Sequence, residues 1–85
     1  MNEVKLPTVG RTVHFYPGAA DETCRANGAQ CLPAIVVQEW GNTVANLHVF
    51  TANHDAPNVI RFSVDHVSKR FEGSQQGYWD WPPIK

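Results

Sequence analysis

The chain has 85 residues, 42% of them hydrophobic, and a formal net charge of −1 at pH 7. A chain this short forms a single domain, residues 1–85, and buries only roughly 60% of the surface that its unfolded form exposes. The seven basic residues form no block that could follow a phosphate backbone, and no apolar run is long enough to span a membrane, so neither a nucleic-acid polymer nor a membrane is an expected partner.

The first predicted strand covers residues 11–16, RTVHFY. Side chains alternate along a strand, so Val13 and Phe15 face the core while His14 and Tyr16 share the other face. A Pro-Gly pair follows and ends the strand with a turn.

Residues 19–30 form a polar insertion. Asp21 can cap one helical turn that the Asn-Gly pair at 27–28 would end, and the sequence leaves open whether this turn or an irregular loop forms. Cys24 and Cys31 flank the second half of the insertion. The sequence allows three states for them: two reduced thiols, a disulfide, or two ligands of a zinc site that residues such as His14 or His66 would complete.

A β-hairpin is predicted from residue 32 to residue 50. The β-branched run 35–37 suits a strand, and residues 44–50 alternate between apolar and polar side chains. The Gly41-Asn42 pair between the two runs predicts a two-residue turn, because both residues tolerate a positive φ. The inward residues of the second strand are Ala45, Leu47 and Val49, and the outward ones are Asn46 and His48.

The last third of the chain predicts one more strand and an ordered tail. Residues 59–64 alternate, with Ile60, Phe62 and Val64 expected in the core and Arg61 facing away. The aromatic tail 77–83 ends in two prolines, which place it on a sheet edge or across a barrel mouth. Large aromatic side chains rarely stay exposed, so the tail is expected to pack back on the domain or on a neighbouring subunit, with Trp79 and Trp81 on one face.

Four or five short strands with few helical signals predict an all-β fold. The expected architecture is a small, antiparallel, SH3-like, partly open barrel of about five short strands, with one short helical turn as an option in the insertion. A simple curled sheet is the alternative.

No catalytic motif is present, so the sequence predicts a protein that is not an enzyme and needs no cofactor. Histidines on polar strand faces, aromatic side chains and two strand arginines are the candidate binding groups, because rings stack on ligands and arginine binds phosphate or carboxylate. Each of them also has a purely structural interpretation, as a solvated strand residue or as part of a small core. The candidate ligand-binding residues are Arg11, His14, Tyr16, His48, Arg61, Trp79 and Trp81.

Four segments together resemble a family of small bacteriophage-encoded proteins that carry no assigned function. They are PTVGRTVHFYP at 7–17, PAIVV at 33–37, VANLHVF at 44–50 and GYWDWPP at 77–83. The similarity covers most of the chain in order and leaves out 18–31 and 51–58, so the two cysteines lie outside it.

The resemblance implies a phage gene product in the cytoplasm of a host bacterium. Its expected function is that of a non-enzymatic sponge, a homo-oligomer that sequesters a nucleotide-type immune signal in a pocket shared between subunits. The alternative is a protein–protein interaction module, either an inhibitor of a host protein or a minor virion or assembly component, with Trp79 and Trp81 as anchors.

Overall fold

The computed structural model describes residues 8–41, 43–69 and 77–82. Its five strands are β1 (Thr12–Tyr16), β2 (Leu32–Gly41), β3 (Val44–Phe50), β4 (Asn58–Val64) and β5 (Tyr78–Asp80), with 3₁₀ turns at Ala26–Gly28 and Val67–Lys69. All strands belong to one antiparallel sheet with the order β4-β3-β2-β1-β5, which curls into a half-barrel. The predicted all-β, partly open barrel of five short strands is therefore confirmed.

The two edges of the sheet meet at one end of the half-barrel. His66, which follows β4, forms a parallel bridge with Trp79 of β5. The Trp79 amide also donates a hydrogen bond to the carbonyl of Asp65 over 3.0 Å. Because β4 and β5 are the two edge strands, these contacts close the barrel partly and leave the rest of its seam open.

The core lies on the concave side of the sheet, as the alternation of β1 and β3 predicts. Its buried apolar side chains come from every strand and from the insertion: Val13, Phe15, Cys24, Leu32, Ala34, Val36, Ala45, Leu47, Val49, Val64 and Trp79. Burying each large apolar side chain stabilises the domain by about 1.5–3 kcal/mol, which is substantial in a chain of this size.

The β2–β3 hairpin is present, but its turn is one residue later than predicted. Gly41 pairs with Val44, so residues 42–43 form the connection, and Asn42 itself lies outside the described residues. Gly41 and Thr43 have positive φ values of 89° and 68°. β2 extends as far as Gly41, so Thr43 as well as Gly41 must adopt a positive φ. Thr is β-branched and rarely has a positive φ, so the sequence does not predict it at this turn position.

The predicted inward face of β4 is wrong for two residues. Ile60 and Phe62 are 39% and 72% exposed, whereas Val59 packs against the core. A β-bulge explains the error: Leu47 pairs with Arg61 but Ala45 pairs with Val64, so β4 contains one extra residue at this point. Inward positions are odd-numbered before the bulge and even-numbered after it. Of the three residues predicted to face the core, Val64 is therefore the one that does.

The tail packs on the domain through residue 82, as predicted. β5 pairs with β1 at the sheet edge, and Trp79 is fully buried. Trp81 packs edge-on against the Trp79 ring with centroids 5.2 Å apart. Residues 83–85 of the tail, like 1–7 and 70–76, lie outside the described residues.

Of the two alternatives for the insertion between β1 and β2, the structure shows the helical turn. The Asp21 side chain accepts a hydrogen bond from the Cys24 amide at 3.2 Å, and the chain then enters the 3₁₀ turn, where Asn27 and Gly28 have positive φ. Cys24 is a buried free thiol and Cys31 an exposed one. No helix in the described part of the chain has the length and apolar character needed to cross a membrane.

Candidate functional site

An open pocket of about 680 Å³ lies on the unclosed side of the half-barrel. Its walls are the start of the insertion, the end of β4 and the residue that precedes β5. The lining residues are Phe15, Gly18, Ala20, Asp21, Arg61, Phe62, Ser63, Val64 and Gly77. A volume of this size suits a small molecule, since ligand pockets typically enclose roughly 300–1,000 Å³.

The polar part of the pocket is an ion pair between the insertion and β4. Arg61 donates from Nε to Asp21 Oδ2 at 3.0 Å and from Nη2 to Asp21 Oδ1 at 2.8 Å, which is a two-pronged arrangement. Its Nη1 donates to the carbonyl of Ile60 at 3.2 Å. The bulge in β4 explains why Arg61, predicted to face away from the core, instead faces the insertion and fixes it to the sheet.

The ion pair keeps both of its members charged. Hydrogen bonds from Arg61 hold the pKa of the Asp21 carboxyl below its ordinary value of 3.8, and the same bonds raise the pKa of Arg61. Nearby, burial and the charge of Asp21 raise the pKa of the Cys24 thiol to about 11. Cys24 therefore stays a neutral core thiol, while Asp21 and Arg61 present an acceptor and a donor side by side.

This ion pair predicts acid-sensitive stability. Because the pKa of Asp21 is lower in the folded than in the unfolded state, its contribution is complete above the ordinary carboxyl pKa and is lost as the pH falls through the folded value. We expect Arg61→Gln to lower the unfolding free energy by about 1–2 kcal/mol at pH 7 and to flatten its decline below pH 4, measured by urea denaturation. Arg11→Gln is the matched control, and an equal loss in both variants would contradict the assignment.

The seven predicted ligand-binding residues are distributed over several places. Only Arg61 lines the pocket. At the other end of β1, the Arg11 guanidinium lies over the Trp81 ring, 5.6 Å from its centroid. Trp79 has no exposed surface, and its indole N–H donates to the Thr43 carbonyl at 2.9 Å. Trp79 is thus a core residue that offers a ligand no accessible surface in one subunit.

The other three predicted residues lie on the convex side of the sheet. Tyr16 stacks on Tyr78 with ring centroids 4.9 Å apart, and a hydrogen bond with Cys31 raises the Tyr16 pKa. His14 is opposite Asp80 in the β1–β5 ladder. His48 stacks on Phe50, and its Nε2 atom is buried without a hydrogen-bond partner in the described part of the chain.

His66 links a serine and a carboxylate in a way that resembles a catalytic triad. Its Nδ1 lies 2.9 Å from Ser68 Oγ, and its Nε2 lies 3.0 Å from Asp80 Oδ1. The backbone amide of Ser68 also donates to Nδ1 at 3.1 Å, so the single lone pair of that nitrogen is already engaged. We therefore interpret His66 as a cap of the second 3₁₀ turn that ties it to β5, not as a general base.

The zinc alternative gains no support from the arrangement of side chains. Within 8–41, 43–69 and 77–82, no group of three or more His, Cys, Asp or Glu residues is placed to hold a metal ion. Cys24 contacts Asp21 in the insertion, whereas Cys31 lies beside Tyr16.

Of the nine residues that line the pocket, the sequence predicts only Arg61 as a binding residue, and three of the other eight show why. The sequence indicates only a capping role for Asp21, predicts a core position for Phe62 and does not distinguish Gly77. A signal existed for Asp21, since an acid in a polar insertion is available to pair with a strand arginine. Phe62 could not be found, because its exposure depends on a bulge that leaves no pattern in the sequence.

Comparisons of the chain with protein-family models, curated proteins and solved structures found no match. The resemblance to small phage proteins therefore stays a prediction, and the geometry of the pocket is the observation that bears on function.

Proposed function

We propose that this protein is a non-enzymatic binding protein that takes up a small nucleotide-type ligand in the half-barrel pocket. The observation that carries the proposal is the combination of an exposed aromatic ring with a donor–acceptor pair in one cavity. Phe62 is 72% exposed at the rim, and Arg61 and Asp21 line the same pocket.

Each part of a nucleotide has a counterpart in this arrangement. The free face of Phe62 supplies a surface on which a base can stack, a contact worth about 1–3 kcal/mol. Arg61 retains N–H donors beyond those bound to Asp21 and Ile60, and Asp21 accepts, so the pair can read the polar edge of a base. Arg25, whose Nη1 donates to the Pro17 carbonyl at 3.2 Å, adds positive charge beside the pocket for a phosphate.

In this proposal the protein sequesters its ligand and does not convert it. Sequestration of a signal nucleotide in a bacterial host is the role that the resemblance to phage proteins implies. The pocket is formed within one subunit, so binding does not require the shared site that the sequence predicted.

The test is isothermal titration calorimetry against cyclic nucleotides and ADP-ribose derivatives. We expect at least one of them to bind, and we expect Phe62→Ala to weaken binding about 5- to 100-fold, which corresponds to the loss of one stacking contact. Phe50→Ala is the matched control, because Phe50 is a half-exposed phenylalanine outside the pocket. Absence of binding by the whole panel at about 1 mM, or equal weakening by both variants, would refute the proposal.

A protein–protein interaction module is the second candidate, and the exposed rings of Trp40 and Phe62 favour it. The anchors expected from the sequence need revision in this case, since Trp79 is fully buried. Affinity purification from bacterial cells distinguishes the candidates: one stoichiometric host protein that is lost with Phe62→Ala would favour the module.

A further inference from the structure

We infer that the convex face of β2, β3 and β4 is the interface of a homodimer. The large apolar side chains on this face are Ile35, Trp40, Phe50, Ile60 and Phe62, with His48 between them; we call this set the outer face. Phe62 belongs both to the outer face and to the rim of the pocket, so the inference shares this one residue with the proposed function.

The strand register places these side chains together. Ile35 pairs with His48, and His48 pairs with Ile60, so the three form one row across the three strands. Phe50 stacks on His48 at one side of this row. The outer face is therefore one continuous surface and not a set of scattered apolar residues.

A hydrogen bond holds Trp40 to the same surface. Its indole N–H donates to Asn46 Oδ1 at 2.9 Å, and the same oxygen accepts the Ser63 amide at 2.8 Å. Asn46, which shares the outward side of β3 with His48, is only 9% exposed, yet the Trp40 side chain above it remains 60% exposed. The ring is thus fixed in place with its other side open, as expected for a contact surface that loses little entropy on binding.

The size of the outer face fits one half of a stable dimer. The exposed fractions are 60% for Trp40, 72% for Phe62, 41% for Phe50 and 39% for Ile60. Since a large aromatic side chain carries roughly 150–250 Å², the face presents roughly 500 Å² of apolar surface. A stable interface that buries about 800 Å² per partner and is about 65% apolar also contains roughly 500 Å² of apolar surface on each side.

The charge of the outer face fits a second copy of the same chain. A two-fold interface brings identical surfaces together, so any charge near its centre meets its own sign. The outward positions of the three strands contain no Lys, Arg, Asp or Glu; they are Pro33, Ile35, Val37, Gln38 and Trp40 on β2, Val44, Asn46, His48 and Phe50 on β3, and Asn58, Ile60 and Phe62 on β4. Self-association therefore costs no like-charge repulsion and places neutral polar residues at the rim.

The experiment is sedimentation velocity of the full chain over a concentration series. We expect a species of twice the 9.5 kDa chain mass. Ile60→Lys and Phe50→Lys, tested separately, should each raise the dissociation constant of the dimer at least about tenfold, because each buries two uncompensated charges at the two-fold interface. Neither residue lines the pocket, so both variants keep every side chain that forms it.

Val9→Lys is the matched control. Val9 is 66% exposed, but it precedes β1, so β2 and β3 separate it from Ile60. Circular dichroism shows whether each variant is folded, and Ile60→Ser replaces any Lys variant that is not. A monomeric wild-type chain at all concentrations, or a dimer that only Val9→Lys disrupts, would overturn the inference.

Discussion

Replacing Trp79 by alanine is expected to have the largest effect of any single substitution, a loss of about 3–5 kcal/mol of unfolding free energy. Trp79 is the largest fully buried side chain, and it contacts both His66 and Trp81 edge-on. Its removal also leaves the buried carbonyl of Thr43 without the indole donor. Since small domains have only about 5–15 kcal/mol in total, this loss removes a large share of the stability.

The measurement is urea denaturation followed by far-UV circular dichroism at a fixed protein concentration. A fixed concentration matters because a dimer makes apparent stability depend on concentration. Trp79→Phe is the control that keeps an aromatic ring and removes the N–H, and it should lose less than Trp79→Ala. A midpoint for Trp79→Ala within error of the wild type would show that β5 is not needed for the fold.

Gly77→Ala is expected to destabilise the domain by about 1–3 kcal/mol through overpacking. A Cβ atom at position 77 would lie 2.7 Å from the carbonyl oxygen of Tyr16 and 2.9 Å from two ring carbons of Phe15. The nearest atom belongs to the backbone of β1, so β5 itself must move away from its partner strand. The substitution should therefore weaken the β1–β5 pairing and lower the melting temperature by several degrees.

Gly10→Ala separates this steric effect from backbone strain. A Cβ at Gly10 would meet no atom within 4 Å, but the residue has a φ of 93°, so only a conformational cost of about 1 kcal/mol arises. Gly77→Ala should be the more damaging of the two by thermal denaturation. The opposite order would mean that β5 can shift at little cost.

The sequence by itself determined the class of the fold and most of its elements. Alternation in β1 and β3 identified their buried faces. Every second residue of a strand faces the inner side of the half-barrel, where polar side chains are unfavourable. The aromatic tail was correctly expected to pack on the domain, because exposing such rings to water is unfavourable. These predictions depend on local rules that each segment obeys separately.

Only the tertiary structure decided which side chains form a site. The bulge in β4 reverses its alternation, so Phe62 reaches the surface while Arg61 meets Asp21, 40 residues earlier in the chain. The burial of Trp79 likewise follows from the meeting of β5 with the segment after β4. A single extra residue in a strand costs little and leaves no pattern, yet it changes the face of every residue beyond it, which is why the candidate site could not be assembled from the sequence.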